Sequence, residues 1–178
     1  LDKLIHPDLH LVFPVAPTDK IKSKDVVSDN YIKEWRTFAL SNPYGIAQDW
    51  FTHYGFESKQ GNISKEESRQ IVKALSLKAF EAKYKVMLIW LPEYMHPAAA
   101  NAILKILEEP PPMTLFVMVS NNYEKLLTTI ISRTQLFNIP KWEDADLTSL
   151  LMSREGLTKA EAAPIAAKPP AAGPAVAA

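Results

Sequence analysis

Cysteine is absent from the 178 residues, which removes disulfides, thiolate zinc sites and cysteine nucleophiles together and favours a reducing, cytoplasmic setting. Glycine is scarce: there are five, none in a G-x-x-x-x-G-K-S/T run, so no loop of that kind wraps a triphosphate with backbone N–H groups. Net charge is absent as well, because 20 basic and 20 acidic side chains cancel, and the whole-molecule field selects neither nucleic acid nor an anionic membrane. No apolar run approaches the ~20 residues that span a bilayer, and the opening LDKLIHPDLH lacks the basic-then-apolar layout of a signal peptide. His6, His10, His53 and His96 share no metal-ligand spacing, so neither a metal nor a cofactor is expected.

What is present alternates between two periodicities. Leu9 to Val15 is a short apolar run closed by Pro14 and Pro17, a strand pattern. Ser28 then opens a helical stretch with Tyr31, Trp35 and Phe38 on one face; Asn42-Pro43 and Gly45 end it before a second aromatic stretch through Trp50 and Tyr54. Such stripes are read as core, with a partner-binding surface as the alternative. Ser64 followed by Glu67 predicts a capping box on a helix running to about Leu77.

Lys85 to Leu91 reads as a strand buried on both faces, stopped by Pro92. Pro97 starts a helix whose face is Ala100, Ile103, Leu104 and Leu107, ended by Pro110-Pro111-Pro112. Thr114 to Ser120 predicts a second buried strand, Tyr123 to Ile131 a helix, and Thr134 to Ile139 a last strand. That order predicts an α/β domain over 1–140 with an aromatic helical insert at 28–58. Residues 141–167 read as a linker and two short helices divided by Gly156, and 168–178 as a low-complexity tail to which no element is assigned. Lys78, Lys83 and Lys85 form a small basic cluster expected to be solvated.

Two segments carry a family resemblance. Ala99 to Pro111, AANAILKILEEPP, resembles the AANxLLKxLEEPP signature of the clamp-loader subunits of bacterial DNA polymerase III, which are AAA+ proteins. Leu126 to Gln135, LLTTIISRTQ, is similar to the LLxTIxSRCQ element of the same family. The resemblance implies a three-layer α/β/α, RecA-like domain of nucleotide-binding type with a mostly parallel sheet, and the start of a small helical lid at 141–167. It implies as partners the ATPase subunits gamma and tau, the delta subunit, and, through the complex, the sliding clamp and primed DNA.

The departures from the pattern bear on mechanism. Active relatives place Asp-Glu at the end of the strand before the signature helix, for magnesium and the attacking water; here Trp90 and Leu91 stand in those places, and Glu93 beyond Pro92 is a weak substitute. The resemblance therefore implies a subunit without ATPase or polymerase activity of its own. By the same resemblance Arg133, with Ser132, is an arginine finger that reaches a neighbour's γ-phosphate; the alternative is that Arg133 caps its own helix. Thr134 replaces the usual cysteine. Ser120 and Asn121, at a sensor position in active relatives, are read as a structural turn, and Glu108 and Glu109 as solvated or as facing another subunit.

In that family a first strand, a phosphate loop and often a four-cysteine zinc module precede the first matching residues, HPDLH. The first strand lies centrally in the order 5-1-4-3-2, so its absence here predicts that the fifth strand shifts onto the fourth or that another chain fills the gap. Two competing readings remain: a fragment of an active clamp-loader ATPase, which needs acids where Trp90 and Leu91 stand, and a plain α/β interaction domain, which must treat both motifs as coincidence.

Overall fold

Runs of aliphatic residues that end at prolines form the central strands. In the computed structural model, which describes residues 3–19, 21, 26–56, 59–140, 142–167 and 175–177, β1 (Leu9–Val12), β2 (Lys85–Trp90) and β3 (Thr114–Ser120) lie parallel. Leu9 is opposite Val86, Val12 opposite Ile89, Lys85 opposite Thr114 and Trp90 opposite Val119. Alternation along the strands then divides their side chains between two cores.

On one face Leu9, Leu11, Leu88 and Trp90 meet the aromatic insert: Tyr31, Trp35 and Phe38 at and on α1 (Ile32–Ser41), and Trp50 and Phe51 on α2 (Ala47–Tyr54). The insert is held by geometry as well as by area. Phe13 stacks on Trp35 at 4.8 Å and meets Trp50 edge-on at 5.5 Å. The buried Trp50 indole and Tyr31 hydroxyl donate to the carbonyls of Pro14 and Ala16, each at 2.8 Å. On the other face Val12, Met87, Ile89, Phe116 and Met118 pack against Ile71 and Leu75 of α3 (Lys65–Ser76) and Ala100, Ile103 and Leu107 of α4 (Pro97–Glu108). Helices, sheet and helices make the three-layer α/β arrangement.

β2 and β3 are not buried on both faces as expected. Their residues alternate between buried and half-buried, and Leu115 is exposed, because the insert covers β1 and β2 but leaves β3 partly open. The capping box is half made. Ser64 Oγ accepts the N–H of Glu67 at 3.3 Å, but the Glu67 carboxylate turns away and accepts the N–H of Ser28 at 2.7 Å. The basic cluster also divides: Lys85 is buried and its Nζ donates to the carbonyls of Ala74 and Leu77 at the C-terminal end of α3.

The predicted helix from Tyr123 to Ile131 is interrupted. A 3-10 turn at Tyr123–Lys125 gives way to extended backbone at Leu126 and Leu127 before α5 (Thr128–Ile131). Leu126 and Ile130 are both buried in this arrangement, so the apolar spacing is satisfied without a continuous helix. The last predicted strand shortens to β4 (Leu136–Phe137).

The last predicted strand, β4, does not shift onto β3. β5 (Ala175–Ala177), from the segment assigned no element, pairs antiparallel with both β3 and β4, giving the order β1-β2-β3-β5-β4. The backbone groups of Met118 to Ser120 on that edge find partners in this way. After the sheet, α6 (Asp144–Glu155) ends at Gly156, whose φ of 68° is the left-handed conformation that glycine adopts freely, and α7 (Lys159–Ala166) follows with Thr158 and Glu161 as a capping box. Among the described residues no helix is long and apolar enough to cross a membrane.

Candidate functional site

The signature helix α4 is capped by His96, whose Nδ1 accepts the N–H of Ala98 at 3.2 Å, and Pro97 occupies its first position. Its buried face of Ala99, Ala100, Ile103 and Leu107 fixes its rotation on the sheet, which leaves Glu108 at the surface where the helix ends. α5 enters the same core through Ile130, so Arg133, three residues on, emerges beside the end of α4. One carboxylate oxygen of Glu108 accepts from Arg133 Nε at 2.7 Å and also from Nη2. Arg133 Nη1 donates to the Thr129 carbonyl at 2.8 Å and to Ser132 Oγ at 3.3 Å.

Glu108 stays half-exposed and has Arg133 as its partner within the chain. The pairing accounts for a negative charge at the carbonyl end of a helix, where the dipole alone disfavours it. The contact with Thr129 makes Arg133 a cap on α5 as well. The Arg133 side chain is not sealed in: it keeps 28% of its accessible surface. Thr134 turns its hydroxyl back to the carbonyls of Ile130 and Ile131, at 3.2 and 3.3 Å, and does not compete for the arginine.

At the C-terminal end of β2, Trp90 and Leu91 are both engaged in packing. The Trp90 ring lies 6.1 Å from Trp35 and 6.0 Å from Phe38, inside the insert's aromatic cluster. Leu91 is buried and sits at φ 58°, a left-handed conformation that costs a residue with a β-carbon about 1–2 kcal/mol. Its N–H donates to Val119 at 2.7 Å and its carbonyl accepts from Tyr94 at 3.0 Å, so the turn into Pro92 is pinned from both sides.

The Glu93 carboxylate accepts from Ser120 Oγ at 2.8 Å and from the Asn121 N–H at 3.0 Å, which commits both its oxygens to the end of β3. Ser120, Asn121 and Glu93 together form a structural turn. Beside it opens a cleft of about 640 Å³ lined by Asn62, Glu93, His96, Asn121, Asn122 and Lys125, among others. Arg133 is not among the residues that line it.

Three charged groups have partners that local spacing does not show, 39 residues away for Glu67, 72 to 74 for Asp8, and 8 and 11 for Lys85. Burial pushes the Glu67 carboxyl up to about 7; the Ser28 N–H pulls against this, and Asp29 adds to it. Asp8 accepts the N–H groups of Phe80, Glu81 and Ala82 at 2.6, 2.9 and 2.8 Å, and these bonds, that of Ala82 most, lower its carboxyl to about 2. Lys85 ties the start of β2 to the end of α3, as described above. Only the Ser64-x-x-Glu67 spacing gave any local signal, and it pointed to the wrong donor for the carboxylate, the Ser64 N–H in place of the Ser28 N–H.

A three-layer α/β domain that keeps the signature helix and the Ser-Arg element at its surface is a domain of the clamp-loader class. The family profile described as DNA polymerase III, delta subunit, matches residues 1–143, and the chain belongs to that family. The delta' subunit of DNA polymerase III from Yersinia pestis is 39% identical over 91 residues, 50% of this chain and 26% of that protein. The delta' subunit from Haemophilus influenzae is 37% identical over 78 residues, 44% of this chain and 24% of that protein. The chain thus spans about a quarter of the length of these curated relatives. A crystal structure of a DNA polymerase III gamma subunit-related protein from Thermotoga maritima aligns with 58% of this chain and 39% of its own at 32% identity and a TM-score of 0.44.

Proposed function

We propose that the chain acts as a non-catalytic subunit of the replicative clamp loader in the cytoplasm, bracing the assembly and supplying Arg133 in trans to the ATP site of a neighbouring gamma or tau subunit. The observation that carries this reading is a contrast between two places. Trp90 and Leu91, read as standing at the positions of the magnesium-binding and water-orienting carboxylates, are engaged with the insert and the core, while the Arg133 side chain keeps 28% of its surface exposed. Indole and isobutyl groups can neither hold a metal nor take a proton, whereas a fixed guanidinium can offset charge that develops on a transferring phosphoryl group. Residues 141–167, with α6 and α7, are read as the start of the helical lid domain, and the sliding clamp and primed DNA are reached through the complex. Ser132 holds the arginine by its hydroxyl until a phosphate oxygen takes that place.

The test uses the full-length protein reconstituted with purified ATPase subunits, sliding clamp and primed DNA. Arg133→Ala should lower turnover at the adjoining ATP site on the order of 10³-fold. Arg133→Lys should not restore it, because a point charge lacks the planar fork. Unchanged ATP turnover in Arg133→Ala would remove the finger assignment.

A further inference from the structure

An arginine that must meet a phosphate at a subunit boundary carries four rotatable side-chain bonds, and something has to choose among its rotamers. The bonds around Arg133 show what does. A guanidinium has five N–H donors in one plane. Nε–H and one Nη2–H both go to a single oxygen of Glu108, and Nη1 is anchored on the Thr129 carbonyl at 2.8 Å. Because Nε and Nη2 share that oxygen, the second Nη2–H lies on the outer edge of the plane, beside Nη1. Among the described residues it has no acceptor, and the only further contact of Nη1 is Ser132 Oγ at 3.3 Å. The outer edge is the fork that grips an oxyanion in two-pronged fashion.

We propose that Glu108 is a positioning residue: it holds the inner edge of the Arg133 guanidinium against the end of α4 and so turns the outer fork toward a partner's phosphate oxygens. This rests on Arg133 acting in trans. The support is rigid where it needs to be, since Glu108 follows directly on Leu107, buried in the same core as Ile130 at the other end of the contact. Ser132 is the group that an incoming oxyanion displaces, at the cost of one long hydrogen bond. Without Glu108 the guanidinium keeps the Thr129 carbonyl but loses the acceptor that sets its plane.

The experiment compares Arg133→Ala, Glu108→Ala, Glu108→Gln and the double variant Arg133→Ala/Glu108→Ala in the reconstituted complex. The readouts are kcat and KM for ATP, together with the thermal midpoint of the free subunit. Glu108→Ala should lower kcat about 10-fold, within the loss that a misplaced catalytic group produces, at unchanged KM and unchanged thermal midpoint. Glu108→Gln, which keeps an oxygen in place, should fall between wild type and Ala. The double variant should equal Arg133→Ala alone, as expected of two residues acting in series. If Arg133→Ala slows turnover while Glu108→Ala leaves kcat unchanged, or raises it, Glu108 does not position the arginine although the finger stands. If Arg133→Ala has no effect, the finger and the positioning role fall together.

Discussion

Glu67 offers the sharpest test of the packing, because a carboxyl meant for a helix cap is carried instead into the core. Its residue is 3% exposed, and one oxygen accepts the Ser28 N–H at 2.7 Å. Burial outweighs that bond and, with Asp29 adding to it, moves the carboxyl from 4.5 to about 7. The folded protein therefore keeps this proton up to about pH 7, while the unfolded chain loses it near 4.5. The contribution is complete below 4.5 and is lost as pH rises through 7, and a displacement of that size is worth about 3 kcal/mol. Glu67→Gln keeps an acceptor for Ser28 and removes the titration. Relative to wild type, the variant should be close in stability at pH 5 and more stable by about 3 kcal/mol at pH 8, or by roughly 6–12 °C in thermal midpoint for a chain of this size. Urea unfolding at the two pH values measures the difference directly, and groups common to both proteins, such as His10, cancel. A stability difference that stays constant between pH 5 and pH 8, or that favours wild type at pH 8, would mean that Glu67 is not held protonated by the fold.

Two further changes test other parts of the frame. Asp8 is held near 2 by three N–H groups, against 3.8 for the free side chain; its contribution is present above 3.8 and lost as pH falls through 2, so Asp8→Asn should flatten the acid limb of the stability profile between pH 4 and pH 2, as read by circular dichroism. Trp50→Phe keeps a ring in a fully buried site but strips the Pro14 carbonyl of its donor at 2.8 Å, and should cost about 1–3 kcal/mol in denaturant unfolding; a loss under half that would mean the carbonyl finds another partner.

The order of strands and helices was readable because the punctuation is local. Pro92, Pro97 and Pro110 end or begin elements by removing donors and fixing φ, and Ser64 caps α3 through its own near neighbour Glu67. The two motifs identified the surface arginine for the same reason, since each is a contiguous run. What failed was whatever needed a distant partner. The interruption before α5 hides behind spacing that a helix and a turn satisfy equally. The half-open face of β3 depends on how far the insert reaches, which no window of sequence contains.

Taken alone, the amino-acid sequence determined β1, β2, β3, α3 and α4 as elements, and which arginine stands at the end of the second motif. Folding decided the pairings: Glu67 with Ser28, 39 residues apart, Glu108 with Arg133, 25 apart, and β5 inserted between β3 and β4. Side-chain periodicity is set by backbone geometry a few residues long, whereas the partner of a charge or of an unpaired strand edge is chosen by whichever group the packed layers bring within about 3 Å.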